Sequence, residues 1–277
     1  MVDSLKPLLK WAGGKRWLLP VLHDIWGPHS KANSSATLVE PFTGGMAVAL
    51  GLNPKKALLN DANVHLINFY HQVSKGLEIK QRLQNNAAFY YAARAKFNSL
   101  ILQNKHLSPE AATLFYFLIR TGFNGLCRFN SSGTFNVPFG QHPTIKYRNN
   151  FAEYENIFNI WKITHGDFSS LKLSGEEFIY ADPPYDVEFT RYNAQDFVWD
   201  DQLRLAQWLA AHNGTVVASN QATARICELY QDLKFKVYLL PAPRMISCNG
   251  DRTPVIEILA VRNVPRGVVT KLNAQFR

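Results

Sequence analysis

Long apolar runs, acidic residues and cysteines are all scarce in this sequence of 277 residues. No apolar run approaches the roughly 20 residues that a bilayer-spanning helix needs. The first residues lack the apolar stretch and the cleavage site of a signal peptide. The three cysteines, Cys127, Cys227 and Cys248, are scattered and odd in number, which argues against a disulfide framework or a zinc site. We therefore expect a cytoplasmic protein with no membrane attachment and no metal site.

The shortage of acidic residues leaves the chain strongly basic. It has 30 lysines and arginines against 21 aspartates and glutamates, a net charge of +9, and a sequence pI near 9.4. Most of the excess falls in residues 77–148, where basic residues far outnumber the two glutamates, Glu78 and Glu110. This clustering indicates an anionic partner such as nucleic acid, because basic side chains neutralise phosphates. A solvated helical face is the alternative interpretation of the same charges.

The order of apolar runs and turns predicts an α/β fold. Residues 37–41 and 56–61 are short apolar runs separated by a glycine-containing turn and a helical stretch, which is the pattern of a βαβ unit. Helical spacing then dominates residues 78–104 and 109–120, with Ser108 as the expected N-cap of the second helix. The alternation resumes later, with strands predicted at 177–185, 215–220, 235–240 and 254–261 and helices at 200–213 and 221–230.

These elements predict one sheet domain with an insertion. We expect a Rossmann-like α/β sheet built from residues 1–76 and 149–264, interrupted by a mainly helical insertion at 77–148. The basic insertion is the candidate for nucleic-acid recognition. Residues 265–277 are basic and are predicted to form a mobile tail.

The sharpest chemical signal is DPPY (182–185), directly after the apolar run FIYA. The two prolines fix the backbone and remove two N–H donors, so they predict a rigid corner at the carboxyl end of a strand, where open α/β sheets bind ligands. The Asp182 carboxylate and the Pro183 carbonyl can accept the two hydrogens of an exocyclic amine while Tyr185 stacks on the base. Accepting both hydrogens draws the nitrogen towards sp³ geometry and frees its lone pair. A surface turn is the alternative interpretation.

A second signal is the turn EPFTGG (40–45), which follows the first predicted strand. Glycines at a strand-to-helix turn allow a nucleotide-like ligand to approach the backbone closely. Asp61 ends the next strand about 20 residues later, where a carboxylate can hold ribose hydroxyls. The sequence has no Walker-type Gly-Lys-Ser/Thr loop, which argues against an ATPase.

The order of the motifs resembles the Dam-like family of DNA adenine N6 methyltransferases. The motifs extend from residue 8 to about residue 261, and the runs FNGLCRFN and FNVPFG are the most specific, because no general requirement of folding explains them. In chain order they are LLKWAGGK (8–15), VEPFTGG (39–45), LLND (58–61), RTGFNGLCRFNSSGTFNVPFG (120–140), DPPY (182–185) and RMISCNGDR (244–252).

The resemblance implies an enzyme that transfers a methyl group from S-adenosylmethionine to the N6 amine of a flipped-out adenine in double-stranded DNA, in the sequence GATC. Its catalytic residues would be Asp182, Pro183 and Tyr185. The cofactor would be bound by residues at matching positions of the family's motifs: Trp11, Ala12, Gly13, Lys15, Phe42, Asp61, Asp167, Phe168 and Asp182. We expect a monomer in solution.

The resemblance also implies a set of DNA-binding residues. Lys10 would reach an outer guanine, Phe123 would insert into the duplex beside Asn124, and Leu126, Arg128 and Pro138 would read the second half of GATC. Arg244, Asn249 and Arg252 would contact phosphates from a later loop. Arg120 is the remaining DNA-binding residue.

Two residues depart from the family pattern. Met46 stands at the final glycine of the glycine-rich turn, which puts the shape of that turn in question. His142 stands where a tyrosine often follows FNVPFG, which bears on the first base pair. Other interpretations remain open at this point: a longer site that contains GAT, an RNA or protein amide methyltransferase, and a DNA-binding protein without catalysis.

Overall fold

A computed structural model describes residues 5–186, 197–243 and 255–276. The α-helices in this part of the chain are α1 Leu19–Ala32, α2 Ala47–Leu52, α3 Val64–Ser74, α4 Ala87–Leu102, α5 Pro109–Thr121, α6 Ala152–Ile160, α7 Trp199–Ala210, α8 Ala224–Asp232 and α9 Arg266–Gln275. The strands are β1 Thr37–Glu40, β2 Lys56–Asp61, β3 Lys162–His165, β4 Phe178–Ala181, β5 Val216–Gln221, β6 Lys236–Ala242 and β7 Val255–Arg262. Three-residue 3₁₀ turns lie at Arg16–Leu18, Phe123–Gly125 and Phe168–Ser170.

The strands form one mixed sheet in the order β3-β2-β1-β4-β5-β7-β6. Strands β1 to β5 pair in parallel, whereas β7 is antiparallel to both β5 and β6. The predicted Rossmann-like α/β sheet is confirmed. Because parallel strands end at the same edge, the residues that follow β1, β2 and β4 gather at one place, where the strand order reverses between β1 and β4.

Helices cover both faces of this sheet. Leu38 of β1 belongs to an apolar cluster with residues of α1, α3 and α5, whereas the neighbouring Val39 belongs to a second cluster with residues of α7 and α8. Strand β4 is buried along its whole length, as expected for a strand with helices on both sides. The apolar runs in the sequence therefore mark the central strands of a three-layer structure.

The insertion is helical over only part of its length. Helix α5 begins as the sequence predicts, because the Ser108 side chain accepts a hydrogen bond from the Ala111 N–H and Pro109 occupies the first turn. Helix α4 starts later than predicted, because Asn86 caps it and residues before Asn86 are not helical. The buried residues of α4 and α5 join the same apolar cluster as α3. Whether residues 77–148 form a separate domain therefore stays a prediction.

The end of the chain differs from the prediction of a mobile tail. Residues Arg266–Gln275 form α9, and Val268 and Leu272 are buried against the main core. The Tyr238 hydroxyl donates to Asn273 Oδ1 at 2.8 Å, and Lys271 pairs with Asp24 at 2.6 Å. The prediction was wrong because it weighed the basic residues and missed two apolar side chains four positions apart, which lie on one face of a helix.

Other elements were not predicted from the sequence. They are α1, α3, α6 and the edge strand β3. Among the described residues, no helix is long and apolar enough to cross a membrane.

Candidate active site

A cavity of about 510 Å³ opens at the sheet edge where β1, β2 and β4 end. Its walls come from the segment before α1, the turn after β1, the end of β2 and the corner after β4. The predicted site residues that line it are Trp11, Ala12, Gly13, Lys15, Phe42, Asp61, Asp182, Pro183 and Tyr185. The fold thus brings together residues that lie up to about 170 positions apart in the sequence.

The two glycines after β1 are required by the closeness of Trp11. A Cβ atom on Gly44 would lie 2.8 Å from Trp11 Nε1, and one on Gly45 would lie 2.9 Å from Trp11 Cβ. Gly44 also has a φ of +44°, in the left-handed region that side chains disfavour. The Tyr70 hydroxyl donates to the Gly44 carbonyl at 2.7 Å, which fixes the turn from below. The indole of Trp11 and the glycine turn therefore form one packed wall of the cavity.

Met46 keeps the backbone geometry that glycine would adopt at this position. Its φ is 57° and its ψ is 29°, which is left-handed, and its side chain is fully buried in the core. The sequence departure therefore leaves a left-handed turn in place. Holding a residue with a side chain in that region costs on the order of 1 kcal/mol, which burial of the methionine offsets.

Asp61 organises the turn as well as lining the cavity. Its Oδ2 accepts a hydrogen bond from the Gly44 N–H at 2.9 Å, and its Oδ1 accepts one from the Asn63 N–H at 2.9 Å. Burial raises the pKa of Asp61, and these two N–H donors oppose the rise. The neighbouring Asn60 donates to the carbonyls of Pro41 and Gly166, so it ties the ends of three strands together.

Asp182 is held between a serine and a lysine. Its Oδ1 accepts a hydrogen bond from the Ser219 hydroxyl at 2.8 Å, and its Oδ2 lies 3.1 Å from Lys15 Nζ. Lys15 is buried and also donates to the Gly13 carbonyl at 2.9 Å. These partners hold the Asp182 carboxylate in one orientation. It can therefore accept a hydrogen bond without first changing rotamer, which is what a preorganised acceptor requires.

The proline corner is anchored by buried amides. Gln202 of α7 donates to the Pro184 carbonyl at 2.8 Å, and Asn220 donates to Gln202 Oε1 at 2.9 Å. Both amide side chains are buried. The next residue, Asp186, is buried and forms an ion pair with Arg225. The corner is therefore fixed by α7 and β5, in addition to the stiffness of its prolines.

Two glutamates line the cavity beside these residues. Glu40, at the end of β1, is buried, and burial and the negative charge of Asp182 hold its pKa well above the usual range against a backbone hydrogen bond at Ala49. Within the described residues, Glu40 Oε1 has no hydrogen-bond partner. Glu257, in β7, accepts a hydrogen bond from the Tyr185 hydroxyl at 2.8 Å, and burial raises its pKa.

Asp167 and Phe168 lie beside the cavity. The Phe168 ring is buried and its centroid is 5.7 Å from that of Phe42, which does line the cavity. Arg204 donates to both carboxylate oxygens of Asp167, at 2.7 and 2.9 Å, and this pairing holds the pKa of Asp167 well below its usual range. The carboxylate of Asp167 is therefore already paired, so its assigned contact with a cofactor stays a prediction.

A second region, residues 122–142, is here called the recognition loop. It lies next to the amino-terminal segment that forms one wall of the cavity. Asn124 and Gly125 both have positive φ, of 53° and 65°. A Cβ atom on Gly125 would lie 2.5 Å from the Lys10 carbonyl oxygen, so the loop packs directly on the backbone beside Trp11. This turn leaves the Phe123 side chain 39% exposed.

The far part of the recognition loop presents Arg128. Its Nε donates to Asn136 Oδ1 at 2.8 Å and its Nη2 donates to the Asn136 carbonyl at 3.4 Å, so Asn136 holds one edge of the guanidinium. Arg128 and Pro138 are both exposed, whereas Leu126 is partly buried and packs against the core. The loop therefore holds an exposed guanidinium in one orientation, while Leu126 packs beneath the loop, and the assigned DNA contacts of Leu126, Arg128 and Pro138 stay predictions.

His142 lies beside Lys10. Its Nε2 is 3.5 Å from Lys10 Nζ and 3.2 Å from the Gly122 carbonyl oxygen. Partial burial and the positive charge of Arg120 lower the pKa of Lys10. Arg120 itself donates to the carbonyls of Leu8 and Lys146, at 2.9 and 3.0 Å. Arg120 thus joins the amino-terminal segment to the end of the insertion, and its assigned contact with DNA stays a prediction.

Three predicted DNA-binding residues, Arg244, Asn249 and Arg252, lie outside the described residues. Among the residues that are described, no group of three or more histidines, cysteines or acidic residues is arranged to hold a metal ion.

Several residues of the site were missed by the sequence reasoning. Glu257 is the clearest, because an acidic residue inside the apolar run PVIEILAV (254–261) is a signal of its own. Glu40 directly precedes the glycine turn and could have been found in the same way. The partners that orient other site residues left no such signal, because only the fold brings them close: Ser219, Gln202, Asn220 and Asn136.

Comparison with known proteins identifies the family. Residues 11–246 match the family described as "D12 class N6 adenine-specific DNA methyltransferase". The chain is 33% identical to the DNA adenine methylase of Escherichia coli, over 92% of this chain and 95% of that protein. It is 32% identical to the type II methyltransferase M.MjaIII of Methanocaldococcus jannaschii, over 90% of this chain and 95% of that protein.

A relative from Escherichia phage P1, a DNA N-6-adenine-methyltransferase, is 35% identical over 89% of this chain. The chain spans about a third of the length of that protein, 34%. The match to the family covers the recognition loop, the proline corner and the cavity lining except Glu257. The chain therefore belongs to the D12 class of N6 adenine-specific DNA methyltransferases.

Proposed function

We propose that this protein transfers a methyl group from S-adenosylmethionine to the N6 amine of an adenine that has left the duplex, in the sequence GATC. The observation that carries the proposal is the Asp182 corner: a fixed carboxylate that lines a charged cavity, with the recognition loop packed on the backbone of Lys10 beside it. A base inside a duplex cannot reach this corner, so it must rotate out of the stack.

The lining of the cavity fits this cofactor. Four carboxyl groups (Glu40, Asp61, Asp182, Glu257) line it together with the ammonium group of Lys15. Burial raises the pKa of three of these groups, Glu40, Asp61 and Glu257. A ligand with a positive charge would favour their ionised forms, so the site favours such a ligand. The free acceptor on Glu40 and the carboxylate of Asp61 suit an ammonium group and ribose hydroxyls, respectively. When bound, the sulfonium supplies the methyl group.

The residues of the corner activate the amine. Asp182 accepts one N–H of the adenine amine and the Pro183 carbonyl accepts the other, so the nitrogen lone pair turns towards the methyl group. Tyr185 offers its ring to the base by stacking. The methylated nitrogen then carries one proton too many, and the Asp182 carboxylate accepts this proton and releases it to water. Positioning and hydrogen bonding therefore carry the chemistry.

The recognition loop reads the duplex in this proposal. Arg128 donates two parallel hydrogen bonds to the O6 and N7 of a guanine, a pair of acceptors that distinguishes guanine in the major groove. Phe123 fills the space that the adenine leaves, since it is exposed at the tip of a tight turn. Lys10 and His142 together face the first base pair, at the position where this chain departs from the family pattern.

The proposal is tested by mapping methylated bases. Plasmid DNA that lacks adenine methylation is incubated with the protein and labelled S-adenosylmethionine, and the modified positions are then sequenced. We expect N6-methyladenine in GATC. Methylation confined to a longer site that contains GAT would replace the target sequence, and methylation only of RNA or of protein would overturn the proposal.

The cofactor assignment has a separate test. Asp61→Ala should weaken the binding of S-adenosylmethionine, measured by calorimetry, more than it lowers kcat at saturating cofactor, because the lost hydrogen bonds act in ground state and transition state alike. Asp232→Ala, an exposed carboxylate on α8, is the control. Unchanged cofactor affinity in Asp61→Ala would show that the ribose assignment is wrong.

A further inference from the structure

Glu257 is an acidic residue at the start of the buried part of β7. The next four residues of β7, Ile258 to Val261, are apolar and at most 1% exposed, and Glu257 itself is only 8% exposed. Burying a carboxylate costs several kcal/mol unless it is paired and hydrogen-bonded. A buried carboxylate in this strand therefore needs a hydrogen-bonding or charged partner that offsets the cost of burying it.

Its partners are two residues of the proposed active site. The Tyr185 hydroxyl donates to Glu257 Oε2 at 2.8 Å, and Lys15 Nζ lies 3.9 Å from the same oxygen. Lys15 Nζ also lies 4.9 Å from the centroid of the Tyr185 ring and 3.1 Å from Asp182 Oδ2. Glu257, Lys15 and Tyr185 thus form a closed triangle of contacts, and Lys15 joins this triangle to Asp182.

The location of Glu257 in the sheet makes the triangle rigid. Strand β7 lies between β5 and β6, and Glu257 is opposite Gln221 at the end of β5 and Leu240 in β6. Tyr185, by contrast, lies outside the helices and strands. A hydrogen bond from the Tyr185 hydroxyl to a carboxylate on a central strand fixes the far end of the ring, which the prolines of the corner do not reach.

We propose that Glu257 is a positioning residue that holds the Tyr185 ring and the Lys15 ammonium in place to receive the extruded adenine. The inference rests on the proposed function, because it gives Tyr185 the role of stacking on the base. Glu257 acts through its two partners and does not touch the base. Lys15 covers one side of the ring, so the base stacks on the other side.

The test separates positioning from stability with three variants. Glu257→Ala removes both contacts, Glu257→Gln keeps an acceptor for the tyrosine hydroxyl but removes the charge, and Tyr185→Phe removes the hydroxyl alone. Each is measured for kcat and KM on DNA, and with 2-aminopurine at the target position, whose fluorescence rises when the base leaves the stack. Glu228→Gln, an exposed carboxylate on α8, is the matched control.

We expect Glu257→Ala to lower kcat by about 10- to 100-fold, with a smaller change in KM for DNA, since Glu257 is not one of the proposed DNA-binding residues. The 2-aminopurine signal should change, because the flipped base loses its fixed platform. Glu257→Gln should recover part of both effects. Combining Glu257→Ala with Tyr185→Phe should lower kcat by less than the product of the two single effects, because both break the same hydrogen bond.

The inference is overturned if the wild type is active and the Glu257→Ala variant has the same kcat and the same 2-aminopurine signal as Glu228→Gln. Strictly multiplicative effects of Glu257→Ala and Tyr185→Phe would also overturn it. If Glu257→Ala does not fold, Glu257→Gln and Tyr185→Phe and their combination decide the question by the same measurements. An inactive wild type would instead count against the proposed function.

Discussion

The cavity at the sheet edge and the recognition loop hold their polar side chains in opposite ways. At the cavity, Lys15 and Glu257 are buried, and Asp182 has a defined partner for each of its oxygens. On the recognition loop, Arg128 is exposed and is held at one edge by Asn136. The two regions meet where Gly125 packs on the carbonyl of Lys10.

The difference follows from what each region has to do. An acceptor that activates an amine works best when it is already oriented and shielded from water, because reorientation during the reaction costs free energy. A side chain that reads a base must keep its donors free until the base arrives, and must be able to reject a wrong base. A change in the cavity should therefore affect turnover, whereas a change in the loop should affect the choice of sequence.

The largest expected effect is that of Asp182→Ala on turnover. We expect methyl transfer to fall by about 10²–10³ or more, with folding and most of the DNA affinity retained, because the amine loses an acceptor that matters most in the transition state. Labelled-cofactor assays measure the rate, and Asp232→Ala serves as the control. Activity within about tenfold of the wild type would remove Asp182 from its proposed role and blur the contrast between the two regions.

An intermediate effect is expected for Arg128→Ala. Loss of the bidentate contact should reduce discrimination at the fourth position by about 5- to 150-fold, equivalent to roughly 1–3 kcal/mol, so that GATN sites become methylated. Substrates varied one base at a time measure this ratio. Arg82→Ala, an exposed cation of the insertion, controls for the loss of charge alone. An equal loss on every substrate would make Arg128 a phosphate anchor.

The smallest expected effect concerns the packing that joins the two regions. His65 of α3 stacks on Phe129 of the recognition loop with centroids 4.9 Å apart, and burial, with nearby histidines, lowers its pKa to about 4. The folded state keeps this ring neutral, so its stabilising effect is full above the usual pKa of 6.5 and is lost as pH falls from there towards 4. His65→Phe should remove this loss.

The measurement is the free energy of unfolding by urea at about pH 7.5 and about pH 6. For the wild type, the His65 contribution should fall by about 1 kcal/mol between these values, and His65→Phe should show a correspondingly smaller fall. His23→Gln, an exposed histidine, is the control. Equal pH dependence in His65→Phe and the wild type would show that the folded state does not keep the His65 ring neutral in this pH range.

The sequence predicted the sheet domain well because its signals are local. The apolar run that became β2 ends at Asp61 as predicted, and the Ser108 cap and Pro109 mark the start of α5. The DPPY corner was equally predictable, since a buried strand followed by two prolines allows few conformations. By contrast, α9 was missed because its basic residues, Arg266 and Lys271, were given more weight than the apolar Val268 and Leu272. Strand β3 was missed because an edge strand of four residues carries little pattern.

The partners of the site residues were a different problem. Nothing near Asp182 in the sequence predicts that Ser219 and Lys15 hold its carboxylate, and nothing near Arg128 except the motif itself points to Asn136. These pairs form because parallel strands deliver distant segments to one edge, and the antiparallel β7 brings Glu257 to the same place. Such contacts depend on the three-dimensional path of the chain, which short-range patterns do not encode.

The sequence by itself determined the fold class, the family and nine of the residues that line the cavity, because motif order, burial patterns and turn chemistry are written in consecutive residues. Only the tertiary structure decided how those residues act together. It paired Lys15 with Asp182 and Tyr185 with Glu257. It also left Glu40 with a free acceptor and paired the carboxylate of Asp167 with Arg204. The physical reason is that hydrogen bonds and charge pairing depend on distance in space, and burial makes each of these contacts matter.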